Sequence, residues 1–524
     1  MASKPFESNT LFYGDNLDVL RKHFPDECVD LIYLDPPFNS KADYNVLFKE
    51  KSGKKSIAQG QAFSDFWTWD PNTEKTYMEI QKDPNLGDMI RFLHDHLGKN
   101  DLMAYIVMMT IRLRELQRVL KPTGSLYLHC DPTASHYLKI ILDKIFGPNN
   151  FRNEIIWQRF TFHADAKRYG RVHDILLFYS KTDDYLWETQ YGEHKEKYKK
   201  SHFTQTDPDG RIFRLDNAVG EGQGPPRYFN GKLLEPPKGA HWRWSQENIN
   251  RLIKEGKIVF TSTGRPAVKR YLDEAKPAIH SIWTDIPPIN SMSKERIGFQ
   301  TQKPIKLLER IIMASSKSEA VVLDPFCGCG TTIMAAQELN RKWIGIDITH
   351  LAISLIRARL KKIHVYAEKD YKIIGEPVDL ASATELASAA DKYQFQCWAV
   401  SLIDAFPVGQ STKSPYGKKG ADKGVDGWLT FREGTEIDLK RIVVQVKGGH
   451  NVGAGEVRDL VGTVQNTKSA MGILITLDEP TQPMKIAAME AGYYESPTWG
   501  HTYPKIQIAT IPELLAKRKP EIPH

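Results

Sequence analysis

Apolar residues along this chain fall into short runs separated by segments of helical spacing, the signature of alternating strands and helices. Leu11 to Tyr13 reads as a strand stopped at Gly14-Asp15, with a helix after it. Leu31 to Leu34 reads as a buried strand that ends abruptly at Asp35-Pro36-Pro37-Phe38. Ile106, Met109, Leu113, Leu116 and Leu120 share one helical face, and Lys121-Pro122-Thr123-Gly124 stops that helix. Ser125 to Cys130 predicts the next strand, Ala134 to Phe146 the next helix, and Ile155 to Trp157 and Ile175 to Tyr179 further strands. This alternation predicts a parallel sheet covered by helices. Residues 41 to 100, polar and irregular with Trp67 and Trp69, read as a long insertion beside the Pro-Pro turn.

The rhythm changes from 182 to 292, where short polar and aromatic segments carry Lys195, Lys197, Lys199, Lys200, Arg211, Arg214, Arg227, Arg243, Lys269 and Arg270 among Tyr198, Phe213, Tyr228, Trp242 and Trp244. Cations interleaved with aromatic rings suit phosphate contact and base stacking, although a solvated basic face has the same composition. The α/β pattern then resumes with the strand Ala320 to Asp324, the loop Pro325-Phe326-Cys327-Gly328-Cys329-Gly330-Thr331-Thr332, a helix over 333–339 and the strand Lys342 to Asp347. Residues 366 to 390 read as a linker to a further α/β segment, 391 to 524.

At 524 residues, two or three domains are expected, with 1 to 365 as the first and 182 to 292 inserted in it. Apolar content of 41% is that of a globular chain. The absence of an eighteen-residue apolar run and of a leader-type h-region predicts a cytoplasmic protein without membrane contact. Five cysteines without disulfide or zinc spacing fit a reducing compartment. A net charge of +7 permits nucleic-acid binding without requiring it. No Gly-Lys-Ser/Thr loop is present, so ATP-driven movement would need another chain.

Two stretches carry chemistry. Neither Pro36 nor Pro37 has an N–H, so the carbonyls here and the Asp35 carboxylate can face outward without local donors competing for them. Such an acceptor site suits an amino group; a plain strand followed by a turn is the competing reading. In the second stretch, Gly328 and Gly330 let the backbone approach a ligand at a helix N-terminus. Asp347 follows Gly328 by 19 residues, near the spacing at which a carboxylate takes ribose hydroxyls. An adenosine cofactor without a phosphate cradle, together with an amine acceptor site, points to S-adenosylmethionine and methyl transfer to nitrogen. Cys327 and Cys329 read as packing and turn residues.

Asp35-Pro36-Pro37-Phe38 and Asp324-Pro325-Phe326-Cys327-Gly328-Cys329-Gly330-Thr331 resemble the catalytic and cofactor motifs of amino-specific DNA methyltransferases. Catalysis precedes cofactor in the order of the β-class, and Gly14-Asp15 and Thr301-Gln302-Lys303-Pro304 also resemble that family. The resemblance implies a Rossmann-like α/β methyltransferase sheet, S-adenosylmethionine as cofactor and double-stranded DNA as partner, with 182 to 292 as the target-recognition region. It implies that Asp35 and the Pro36 carbonyl grip the amine and Phe38 stacks on a flipped base. Asp347 would hold the ribose, Asp15 and Phe326 the adenine end, and Lys303-Pro304 would close the pocket. A motif beginning with Asp favours adenine N6, with cytosine N4 as the alternative. RNA or protein amides are acceptors of similar sites.

In the last segment, Asp426 precedes one strand while Gln445 and Lys447 alternate onto one face of the next. Such a trio can hold a divalent metal beside a phosphodiester, with Lys447 stabilising charge. The segment resembles Mrr-type PD-(D/E)XK nucleases, a restriction endonuclease-like α/β fold, which implies Mg²⁺ bound by Asp426 and Gln445. Gln445 replaces the commoner Glu, and Gln396 stands where the first helix of that family carries an acid. The expectation is one polypeptide handling modification and restriction, with a non-cleaving DNA-binding or docking module as the alternative. A separate restriction subunit and the oligomeric state are left open.

Overall fold

A computed structural model of the chain describes residues 9–37, 68–160, 167, 169–290, 293, 295–297, 299, 301–389, 392–408, 424–433, 439–498 and 500–523. Phe38, Trp67 and 418–423 lie outside these residues.

Nine strands make one sheet: β1 (Asn9–Tyr13), β2 (Val29–Leu34), β3 (Leu120–Cys130), β4 (Phe151–Gln158), β5 (His173–Ser180), β6 (Ile282–Trp283), β7 (Val321–Asp324), β8 (Lys342–Asp347) and β9 (Tyr371–Ile374). Their order is β6-β4-β5-β3-β2-β7-β8-β1-β9. The expected all-parallel sheet is corrected in one place, because β5 runs antiparallel to both β3 and β4. β3 and β4 are joined through the helix Ser135–Phe146, which leaves a gap between them that β5 fills. β2, β5, β7 and β8 are buried on both faces, which is why they read as continuous apolar runs rather than alternating ones.

The irregular insertion expected over 41 to 100 contains two helices in its described part, Pro71–Gln81 and Gly87–Leu97. Asp70 caps the first through Thr73 N–H and Pro71 sits in its opening turn, a start signal hidden among polar residues. Tyr77, Ile80, Ile90 and Leu93 anchor both helices in the main core.

Residues 366 to 390, expected as a linker, also carry structure. β9 pairs with β1 at the sheet edge, and a helix spans Leu380–Ser388. Beyond it, a five-stranded sheet comprises β10 (Phe406–Pro407), β11 (Gly427–Arg432), β12 (Leu439–Lys447), β13 (Met471–Thr476) and β14 (Ile506–Thr510), in that order. Residues Thr189–His280 form a compact unit of their own. Its four-stranded antiparallel sheet and small core of Ala218, Phe229, Trp242, Ile249, Ile258 and Val268 match the change of rhythm in the sequence.

Candidate active site at the carboxyl edge of the sheet

Strands distant in sequence converge at one edge. Leu323 pairs with Ile32, which places the loop after β7 beside Asp35 although they lie almost three hundred residues apart. Tyr13 pairs with Asp347, and the Gly14 N–H donates to the Asp347 carbonyl at 2.9 Å. The carboxyl ends of β1, β2, β7 and β8 therefore lie side by side, at the edge where open α/β sheets bind ligands.

Asp35 forms an ion pair through Oδ2 with the Lys303 ammonium; both side chains are largely buried. Its Oδ1 is buried and has no hydrogen-bond partner among the described residues. A buried acceptor in that condition is costly, which marks this oxygen as one prepared for an incoming donor. Pro36 is buried behind it and Pro37 partly exposed. Lys303, expected at the cofactor, thus reaches the acceptor site, while Pro304 caps the helix Ile305–Ser315 with an extended backbone and no side-chain bond.

Two buried carboxyls flank the glycine loop. Asp347 accepts from the Thr349 N–H at 2.9 Å, the Thr349 hydroxyl at 2.8 Å and the Gly328 N–H at 2.9 Å. Burial nevertheless pushes its pKa up to about 6. Asp324 turns inward, accepting from the Thr332 hydroxyl at 2.5 Å and the Phe326 N–H at 3.1 Å, and burial pushes it up to about 7. Asp324 therefore braces the loop. Gly328 and Gly330 hold left-handed φ values of +49° and +76°, and a Cβ on Gly330 would lie 2.6 Å from Ile356 Cγ1. Phe326 packs against the main core, and the Thr331 side chain is buried beside Cys329.

Asp15 has its carboxylate engaged at both oxygens. Oδ1 caps the helix Asn16–His23 through the Leu17 N–H at 2.8 Å, and Oδ2 accepts from Arg112 at 2.6 Å. Arg112 also donates to Asn16, whose amide reaches the Pro325 carbonyl at 2.8 Å, tying the loop after β1 to the glycine loop. Arg112 and Asn16 escape sequence reasoning because each looks like an ordinary helix residue. A buried polar row goes equally unmarked: Tyr33 Oη lies 2.9 Å from His129 Nδ1, and His129 Nε2 lies 3.1 Å from Asp174. Burial and the neighbouring carboxylates Asp35, Asp324 and Asp174 raise the Tyr33 pKa well above its ordinary value.

A DNA methylase family model matches residues 29–357. The chain belongs to that family. Among curated relatives, the type II methyltransferase M.EcaI of Enterobacter cloacae is 31% identical over 259 residues, covering 49% of this chain and 57% of the relative. The Mod subunit of the type III restriction-modification enzyme StyLTI, from Salmonella typhimurium, is 26% identical, covering 65% of this chain and 52% of the relative. The type II methyltransferase M.KpnI of Klebsiella pneumoniae is 26% identical, covering 66% and 81%. The chain thus spans little more than half the length of the first two relatives. Residues 413–516 of this DNA methylase family member match a model described as a NACHT-associated inactive restriction endonuclease.

In that last segment, the Asp426 N–H donates to the Val444 carbonyl at 2.9 Å, and Asp426 Oδ2 accepts from the Val446 N–H at 2.7 Å. Gln445 is buried and donates Nε2 to the Thr463 hydroxyl at 3.4 Å, while Lys447 is partly exposed at the strand end. The three expected residues are neighbours, since Gly427 pairs with Val444 and so brings Asp426 opposite Gln445. Their donor set does not fit Mg²⁺: one carboxylate already accepts a backbone bond, the other position is a carboxamide turned to a helix, and hard dications need several oxygens. Among the described residues, no group of three His, Cys, Asp or Glu could hold a metal ion. No helix among them is long and apolar enough to cross a membrane.

Within the unit of residues 189–280, several cations named from the sequence are paired: Arg211 with Asp273 and Glu274, Lys269 with Asp207, Arg214 and Arg270 with Asp216, and Lys199 with Glu193 and Glu196. Lys195, Lys197, Lys200 and Arg243 are exposed.

Proposed function

We propose that this chain transfers a methyl group from S-adenosylmethionine to the exocyclic amine of a base in duplex DNA, with adenine N6 favoured over cytosine N4. The observation that carries the reading is Asp35 Oδ1, a buried acceptor without a partner among the described residues, at the end of the strand beside the glycine loop. An exocyclic amine conjugated with its ring is a weak nucleophile until acceptors draw its hydrogens out of the ring plane. Asp35 Oδ1 and the Pro36 carbonyl would take those two hydrogens, leaving the nitrogen lone pair free on the opposite side. Lys303 would hold Asp35 in place through Oδ2 and limit its rotation. S-adenosylmethionine, when bound, supplies a sulfonium-activated methyl group. Asp347 would accept from its ribose hydroxyls, and the left-handed turns at Gly328 and Gly330 would let backbone approach the adenosine. As the N–CH₃ bond forms and the S–CH₃ bond breaks, one amine proton passes to Asp35 and then to solvent. Orientation supplies the bulk of the acceleration. The target base must leave the helix to reach Asp35, and the exposed cations of residues 189–280 are candidates for phosphate contact.

For residues 391 to 524, the non-cleaving alternative is favoured by the bond from Gln445 to Thr463 and by the match to an inactive endonuclease model. A separate restriction subunit would then supply cleavage, as the names of the type III relatives suggest for those proteins.

Tritiated S-adenosylmethionine offered to duplex DNA, RNA and protein should label DNA alone, and sequencing the product should locate N6-methyladenine. Label in RNA or protein without DNA would overturn the substrate class, and N4-methylcytosine would overturn the base. Unmethylated plasmid should stay intact with Mg²⁺ or Mn²⁺; cutting lost in Asp426→Ala or Lys447→Ala would restore the nuclease reading.

A further inference from the structure

The helix that begins three residues after Asp347, His350–Lys362, is fastened to a helix of the C-terminal segment, Lys392–Leu402. The first N–H groups of a helix have no acceptor within it. Here the Thr349 hydroxyl takes the Ala352 N–H at 3.2 Å, and Gln394 Oε1 takes the His350 N–H at 2.8 Å. His350 is fully buried and Gln394 nearly so. Farther along the same pair of helices, Ser354 donates to the Cys397 carbonyl at 3.4 Å and Arg357 to Ser401 Oγ at 3.3 Å, and Lys361 donates to Asp404, just past the second helix, at 3.0 Å.

His350 also faces the other way. Its ring stacks on Tyr13 with centroids 3.7 Å apart, and Tyr13 is the register partner of Asp347. An unbroken path of packed groups therefore runs from Gln394 through His350 and Tyr13 to the strand ends that carry Gly14-Asp15 and Asp347. The N-cap of this helix is Thr349, which supplies two of the three donors named on Asp347.

We propose that Gln394 is a positioning residue for the cofactor pocket, so that cofactor occupancy and the packing of the C-terminal segment are coupled within one chain. The nuclease-like segment then has a role in methylation that needs no cleavage chemistry. Coupling of this kind is reciprocal: what steadies Gln394 tightens the pocket, and what fills the pocket steadies the helix bearing Gln394. The inference rests on the reading of Asp347 as the ribose-binding carboxylate.

The test uses the full chain without DNA and S-adenosylhomocysteine as the probe. Gln394→Met keeps the side-chain volume and removes the acceptor; calorimetry should give a Kd roughly five- to tenfold weaker. Ser401→Ala cuts a bond of the same helix pair away from the first turn and should leave Kd within about twofold of the unaltered chain, the split a purely structural interface would not give. In the unaltered chain, saturating probe should slow amide hydrogen exchange over 392–402, a readout that stands even if the variant fails to fold. Unchanged affinity in Gln394→Met, an equal loss in Ser401→Ala, or exchange over 392–402 indifferent to the probe would each overturn the coupling. An unaltered chain that bound no probe would overturn the cofactor reading with it.

Discussion

Acidification should weaken cofactor binding, and Asp347 sets the size of the effect. Burial holds its carboxyl at a pKa of about 6, even with three donors on its oxygens. A folded pKa raised above the unfolded value means that the protonated form is favoured by folding. The stability it contributes is complete below about pH 4 and is lost as pH rises through about 6. Ribose hydroxyls donating to the carboxyl favour the charged form, so binding releases the proton and opposes that trend. If the bound pKa lies roughly two units lower, affinity is almost level above pH 7 and falls about tenfold by pH 5, about 1.4 kcal/mol. Calorimetry with S-adenosylhomocysteine between pH 5 and 8 measures this directly. Thr349→Ala removes a hydroxyl donor that favours the carboxylate, so the midpoint should move upward. Affinity that stays level across the range, or a midpoint that Thr349→Ala leaves in place, would refute the reasoning.

Asp35→Asn keeps the shape of the acceptor site but loses the carboxylate, and methyl transfer should drop by about 10²-fold or more while probe affinity holds; normal turnover would refute the role. In Gly330→Ala, a Cβ placed 2.6 Å from Ile356 Cγ1 at a φ of +76° should cost about 2–4 kcal/mol in urea unfolding, and a loss below about 1 kcal/mol would contradict the left-handed turn. Thr332→Val deletes the 2.5 Å bond to Asp324, whose pKa is about 7. Because that hydroxyl favours the charged carboxylate, the variant should lose more stability at pH 8 than at pH 5, and equal losses in thermal melts would argue against it.

Much of the candidate site was legible because the residues proposed for catalysis and cofactor binding sit at strand ends, where an apolar run stops at a conspicuous turn. Asp35, Gly328 and Asp347 all announce themselves in this way. What stayed hidden depends on pairing across the fold. Arg112 lies on a helix far from Asp15 in sequence, and only the packing of that helix against the one following β1 brings them together. β5 is as apolar as its neighbours, so its reversed direction leaves no mark on composition. The role expected of Asp324 at the cofactor was reached from motif position alone; its inward turn follows from Thr332, eight residues on in the first turn of the helix after the loop. At Gln445 the substitution is visible in the sequence, but the bond to Thr463 that occupies its amide is not.

The edge position of β9 has a consequence for biosynthesis. β1 is made first, yet its two partners, β8 and β9, span Lys342–Asp347 and Tyr371–Ile374. At about 5–20 residues per second, the ribosome leaves β1 unpaired for roughly twenty seconds to a minute. Nascent chains in that interval present an apolar strand with open backbone groups on both sides, the form most prone to pair with a neighbouring chain. A chain cut at residue 365 would keep one side of β1 open permanently and should aggregate, whereas one continued through Gly375 covers that side with β9.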